Sequence, residues 1–444
     1  MTLLARLRPA LCLTAVLLAF GTPSAWAREW FVAVGGKDAA AGTKEQPTSL
    51  FSALDRALAR DTIIMRGGQY QGAELSKRMI FLQKEGLTLR AAEGERPVIS
   101  IPIDPTTPKG DGSCIIWFYA PNCTIEGLEL VGSGAHCVKM EHPKGVVRNC
   151  KLHGSGADAV KIVRTAPGCL IEGCEIYDTG KATTNAEGID NVAADDVVVR
   201  GNYIHHIMSN GLYMKGGARN CLIEGNLVTD CNDNGIMLGQ STGKQFMTSE
   251  YECRDSIARN NIVMRTKGSG LAFEAAQNCQ FYNNTLYDVA QNAQAAMNVN
   301  ANSYKTPSTG VTLANNVVVV LSGRPLVFVH PLGLAAKGDL RSDHNLYFSP
   351  SGRYPFWYEP EKMYWEKFED WRAGTGYDEH SLLADPKLDT EGKGKWGQSS
   401  LQLLAGSPAI DIGLALPEAV PTDFLGTPRP QGKGFDLGAC EVKP

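Results

Sequence analysis

Four oxygen-bearing side chains and one lysine stand out as groups able to do chemistry together. They are Asp158, Glu187, Asp190 and Asn191, with Lys215 following 25 residues after Asp190. Carboxylate and amide oxygens are the ligands that a hard cation such as Ca²⁺ takes. A lysine acts as a general base when neighbouring charge or desolvation favours its neutral amine. Tyr213, two residues before Lys215, offers a phenolic proton. Lys139, Lys161 and Arg219 offer positive charge to an acidic ligand, and Glu274 a further polar group. Bland readings stand beside these. Asp158, Glu187, Asn210 and Asn234 occupy a position where turn chemistry also accounts for them. Lys215 also reads as a solvated surface lysine.

These residues share a frame only if the chain is built from repeats, and the sequence repeats throughout. Asparagine or cysteine closes a short unit at Cys150, Cys174, Asn202, Asn226, Asn261, Asn284, Asn316 and Asn345, with spacings of 24, 28, 24, 35, 23, 32 and 29. Short alternating segments at such a period predict a solenoid whose coils stack to bury their apolar faces. A second frame, about ten residues later, places Val138, Val160, Ile189, Leu212, Ile236, Leu271 and Met297 in one inward column. Side chains alternate across a strand. The next residues therefore form an outward column: Lys139, Lys161, Asp190, Tyr213, Met237, Ala272 and Asn298. Lys215 and Glu274 lie two positions further on. By strict alternation Asn191 points inward; a bulge over Glu187–Val192 would turn it out. Charged groups concentrate in a few rungs of this face, more than solubility requires.

Residues 1–27 read as a secretory leader: Arg6 and Arg8, then an apolar stretch from Leu11 to Phe20, then Ala25-Trp26-Ala27. A secreted or periplasmic location is expected, without stable membrane insertion, since no segment is long enough to span. Without the leader, 41 basic residues face 47 acidic ones, a balance that argues against a nucleic-acid partner. A monomer is expected. Eleven cysteines remain after the leader, an odd number that leaves at least one thiol free. Most fall in repeat positions and read as small buried residues, with Cys150 and Cys174 the best pair for a bridge. Residues 28–60 predict a strand and then a capping helix over Thr48–Ala59, residues 61–348 the coils, and residues 349–444 an aromatic-rich covering segment. Long insertions at Lys181–Ala186, Ser241–Cys253 and Asn300–Thr309 fit loops gathered on a binding face.

The Gly-Thr…Pro approach to the helix, the asparagine frame and the closing Asp423-Phe-Leu-Gly…Arg429-Pro…Asp436-Leu-Gly-Ala motif resemble the right-handed parallel β-helix proteins. Within these the chain is similar to the secreted polysaccharide lyases, with pectate lyases, alginate lyases and chondroitinase B. The resemblance implies an all-β right-handed parallel β-helix with an N-terminal helical cap and a C-terminal extension, in which the asparagines form a structural ladder. It also implies cleavage of a uronic-acid-containing polysaccharide by β-elimination. By its position on this face, and not by a motif match, Lys215 would be the base, and Tyr213 would be the proton donor. Glu187, Asp190, Asn191 and Asp158 would hold Ca²⁺, and Lys139, Lys161, Arg219 and Glu274 would bind an acidic polysaccharide. The chain departs from the calcium sets of pectate lyase L and chondroitinase B, and lacks the Asp-Pro-His-Asp signature of mannuronan epimerases. A C5-epimerase, a glycoside hydrolase and a non-catalytic carbohydrate-binding solenoid remain as alternatives.

Overall fold

The computed structural model describes residues 27–102, 113–292 and 295–443; apart from Ala27, the expected leader lies outside them. The chain winds into coils that give one strand each to three sheets of twelve strands. Pairing within the sheets is parallel except for one terminal pair, Phe356–Tyr358 with Met363–Trp365. This is the right-handed parallel β-helix that the repeats predict.

The turn between the first sheet, which runs from Glu29–Val32 to Leu340–Asp343, and the third, which runs from Gly68–Tyr70 to Leu382–Leu383, explains the repeated dipeptide. Its first residue takes a left-handed conformation at Asn149, Gly173, Gly201, Gly225, Asn260, Asn283, Asn315 and His344, with φ between 51° and 64°. Glycine and asparagine enter that region at least cost. The second residue points inward and forms the ladder. The amide Nδ2 of Asn226 donates to Asn261 Oδ1 (3.0 Å) and to Val199 O (2.9 Å). The same pattern repeats from Asn202 to Asn345. Each buried amide thus satisfies a backbone C=O and N–H of the preceding coil and donates to the side chain of the next asparagine. Cys150 and Cys174 take the two preceding positions of this column. All eleven described cysteines are free and buried, so the suggested Cys150–Cys174 bridge is not formed.

The ends of the stack are closed differently. Strand Glu29–Val32 pairs with Thr62–Met65, so the first coil starts before the helix rather than at Asp61. The capping helix is shorter than its periodicity predicts, Leu50–Arg56, with Ser49 Oγ accepting from Ser52 N. Leu58 lies beyond it and is exposed. At the other end, helix Phe368–Thr375 buries Trp371 against Phe356. The buried Asp378 carboxylate accepts from Trp371 Nε1, Tyr347 Oη, Ser342 Oγ and Ser381 Oγ, terminating the ladder. The remaining chain runs back along the third sheet. Leu401 and Ala439 there pack on Leu227, Ile262 and Met264. The closing motif is structural: Arg429 forms a fully buried pair with Glu441 (2.6 Å) and donates to Gly438 O (2.8 Å). No helix among the described residues is long and apolar enough to cross a membrane.

Register in the second sheet follows the inward column from Val138 to Met297. The outward column is therefore also in register, and four of its rungs build the site.

Candidate functional site

Strands His136–Met140, Val160–Val163, Ile189–Val192 and Leu212–Lys215 stand side by side on the second sheet. Asp158 and Glu187 occupy the turns that lead into two of them, and Asp190 points outward from the third. The backbone N–H of Glu187 donates to Asp158 Oδ1 (3.0 Å), tying one turn to the next. The three carboxylates bring oxygens within 4.8 Å of one another. All three residues are buried, Asp158 at 4%, Glu187 at 1% and Asp190 at 2% exposure. Buried carboxylates at such range repel, and the repulsion is only partly answered. Lys161 pairs with Asp190 and reaches Asp158 (3.6 Å). Asn210 Nδ2 donates to Glu187 Oε1 (3.2 Å). Glu187 Oε2 and Asp190 Oδ1 are buried without a hydrogen-bond partner.

Proton affinities follow from this crowding. Burial, then the Asp158 charge, pushes the Glu187 carboxyl up to about 8. Burial and the Asp190 charge push Asp158 up to about 6. Burial disfavours charged Lys161, but attraction to Asp190 and Asp158 outweighs it and holds the ammonium above its ordinary value. His136, with Nδ1 3.5 Å from Asp158 Oδ2, is pushed down to about 4 by burial and then by Lys161. It is a neutral wall of the cluster at pH 7.

Lys215 ends the fourth strand, in register with Val192. Its Nζ donates to Tyr213 Oη (2.8 Å) and lies 4.1 Å from the Tyr213 ring centre. After it, Gly216 and Gly217 turn with φ of 72° and 101°. This turn is clamped by Glu252, which is fully buried on the insertion after Ser241. Its Oε2 accepts from Gly216 N (2.9 Å), and its Oε1 from Thr242 N (2.9 Å) and Asn302 Nδ2 (3.2 Å). One carboxylate thus fixes both the root of the insertion and the turn behind Lys215.

The structure brings Asp158, Glu187, Asp190 and Lys161 into one cluster, with Tyr213 and Lys215 on the adjoining rung. Lys161 balances part of the carboxylate charge and is not free for the ligand-binding role that the sequence reading gave it. Asn191 is a correction. No bulge turns it out: its amide is fully buried in the core, bonded to Ala194 O (2.9 Å) and accepting from Ala194 N (3.2 Å). Tyr213 is a second. At 1% exposure, packed with Met237 and Ala272, its hydroxyl serves Lys215 and cannot meet a leaving group. Burial, then the three carboxylates, raises its pKa. Arg219 turns away to Asp255 (2.9 Å) in a separate three-stranded sheet. Lys139 pairs with Glu141 (2.8 Å) over the Trp117 ring. Glu274 accepts from Ser241 Oγ (2.7 Å), at the insertion's other edge. Sequence reasoning passed over His136 and Glu252. The sole available signal for Glu252 was an acid within an unusually long insertion.

The donor set suits a hard cation: three carboxylates converge, two of their oxygens have no partner, and the raised proton affinity of Glu187 and Asp158 marks a site short of positive charge. Asp158, Glu187 and Asp190 are the residues that would hold it. The arrangement as a whole sets an amine beside a buried anionic cluster on one face of the solenoid.

The family model described as Pel9A-like, right handed beta helix region, matches residues 30–306. No curated protein matches significantly. Among solved structures, pectate lyase Pel9A superposes with a TM-score of 0.62 at 14% identity, over 93% of this chain and 96% of that one. XylC in complex with xylose gives 0.56 at 12% identity, over 94% and 99%. A rhamnogalacturonan lyase gives 0.54 at 12%, over 68% and 84%. At these identities the likeness concerns the fold, and the reaction has to be argued from the residues.

Proposed function

This chain belongs to the Pel9A-like right-handed β-helix family, and we propose that it is a secreted or periplasmic lyase that cleaves a uronate-containing polysaccharide by β-elimination. The observation that carries this reading is Lys215. Its amine stands one rung beyond a buried three-carboxylate cluster, on the same face, anchored by Tyr213 and by the turn that Glu252 holds. In β-elimination the base removes the proton α to the uronate carboxylate, a C=C bond forms, and the bond to the leaving glycosyl oxygen breaks. That oxygen takes its proton from solvent, because Tyr213 is buried. Ca²⁺ at Asp158, Glu187 and Asp190 would neutralise the substrate carboxylate and so stabilise the enolate-like charge. Lys161 keeps the cluster folded by balancing part of its charge. Tyr213 directs the Lys215 amine by accepting its hydrogen bond.

A hydrolase reading is less well supported. Hydrolysis needs two carboxyl groups bracketing the scissile bond. Here the carboxylates are packed together and buried, not set across a cleft.

The test is ultraviolet absorbance of unsaturated uronate, with the mature chain on pectate, alginate, chondroitin and bacterial exopolysaccharides, in Ca²⁺ and in chelator. Absorbance that grows on one substrate and vanishes in Lys215→Ala supports the proposal. Silence on the whole panel, with the uronate inverted at C5 by NMR, would make the chain an epimerase instead.

A further inference from the structure

The carboxylate cluster adjoins a pocket of about 360 Å³ that the sequence reading did not foresee. That volume is near the lower end for small-ligand sites, about 300–1,000 Å³. Lys161 is its edge toward the cluster, and Val163 and Val192 form its floor. Val192 is in register with Lys215, so the pocket begins one rung from the amine. Two residues distinguish it from an ordinary surface hollow. Arg164 lines it, is exposed, and among the described residues has no carboxylate within ion-pair distance. Phe246 also lines it at 58% exposure, carried by a short 3₁₀ turn, Lys244–Phe246, of the insertion.

An exposed phenylalanine on a polar insertion gains nothing from folding, and an unpaired guanidinium gains nothing from an ion pair. The insertion is nevertheless held rigidly. Thr248 N donates to Gly216 O (2.8 Å), Glu252 clamps both strand and insertion, and a Cβ at Gly217 would meet Thr248 Oγ1 at 2.3 Å. A buried carboxylate and a turn that only glycine fits thus hold the insertion that carries Phe246 at the pocket.

We propose that this pocket is a glycosyl subsite next to the reacting sugar, in which Arg164 binds a uronate carboxylate and Phe246 covers the apolar face of the same sugar ring. The inference rests on the lyase reading above and adds to it. The guanidinium fork matches a carboxylate with two parallel hydrogen bonds. An aromatic face beside two valines suits the C–H face of a pyranose. The substrate would then carry carboxylates on consecutive sugars, as a homopolymeric uronan does. A polymer in which uronate alternates with a neutral sugar would leave Arg164 without a partner.

Calorimetry on Lys215→Ala, which binds without turnover, tests this with oligogalacturonates, oligoalginates and chondroitin oligosaccharides as probes. A homopolymeric oligouronate should bind, and adding Arg164→Ala should weaken it about tenfold to a hundredfold, with Arg164→Lys between. Phe246→Ala should weaken the same probe, and circular dichroism should be unchanged in all three. Binding that neither Arg164→Ala nor Phe246→Ala alters would overturn the subsite and leave the lyase reading intact. Tighter binding of the alternating chondroitin probe would overturn it too. If no oligouronate binds, both proposals fall.

Discussion

Replacing Glu187 with glutamine should make the protein more stable at pH 8 than the parent and leave it nearly unchanged at about pH 4. The Glu187 carboxyl titrates near 8 in the folded chain against an ordinary 4.5. Between those values the folded state keeps a proton that the unfolded state has released, so stability falls as pH rises through that window. Below it both states are protonated and nothing is lost; above it the full cost applies. At about 1.4 kcal/mol per pH unit that cost approaches about 5 kcal/mol, and proton sharing with Asp158 brings it nearer to ~3. Glutamine keeps the oxygen that Asn210 Nδ2 contacts and never ionises. The difference in urea unfolding free energy between Glu187→Gln and parent should therefore grow from near zero at about pH 4 to ~3 kcal/mol at pH 8 in chelator. Added Ca²⁺ should restore the parent at pH 8 and help the variant less, since one of three carboxylates is gone. A difference that does not change with pH would refute the reasoning. It would mean that Glu187 is ionised and solvated throughout and that the cluster is not short of positive charge.

Three further outcomes are expected. Lys215→Ala should lower turnover about 10²–10⁴-fold with oligosaccharide affinity kept, measured as initial rate against calorimetric Kd. Asn261→Ala removes the acceptor of the buried Asn226 N–H and the donor to Ile223 O; it should cost ~3 kcal/mol in urea unfolding and leave the site's chemistry alone. Glu252→Gln places an amide donor against Gly216 N–H or Thr242 N–H; limited proteolysis should cut residues 241–253 faster, and turnover should fall while stability drops by about 1–3 kcal/mol.

The solenoid was legible because its cause is local and repeated. A left-handed turn residue followed by an inward asparagine, or cysteine at Cys150 and Cys174, recurs from coil to coil, and the register of the second sheet then follows from alternation alone. That placed Lys139, Lys161, Asp190, Tyr213 and Lys215 on one face correctly, since each stands at a fixed offset from an inward apolar residue. Alternation also sent Asn191 inward, and the bulge invoked to reverse it does not exist. The capping helix was overextended because Leu58 continues a period of four without packing against anything.

What the sequence determined by itself is the frame: the coil, the ladder, and which side chains leave the same face. Which of those side chains meet was decided by the tertiary structure. Neighbouring coils are linked by turns and insertions of unequal length, so position along a strand does not tell how a long side chain is spent. Lys161 is taken by Asp190, Arg219 by Asp255, and the Tyr213 hydroxyl by Lys215. Glu252, Arg164 and Phe246 reach the site from turns and an insertion that follow no repeat. Their contacts arise between residues far apart in the chain, and no periodicity in the sequence encodes them.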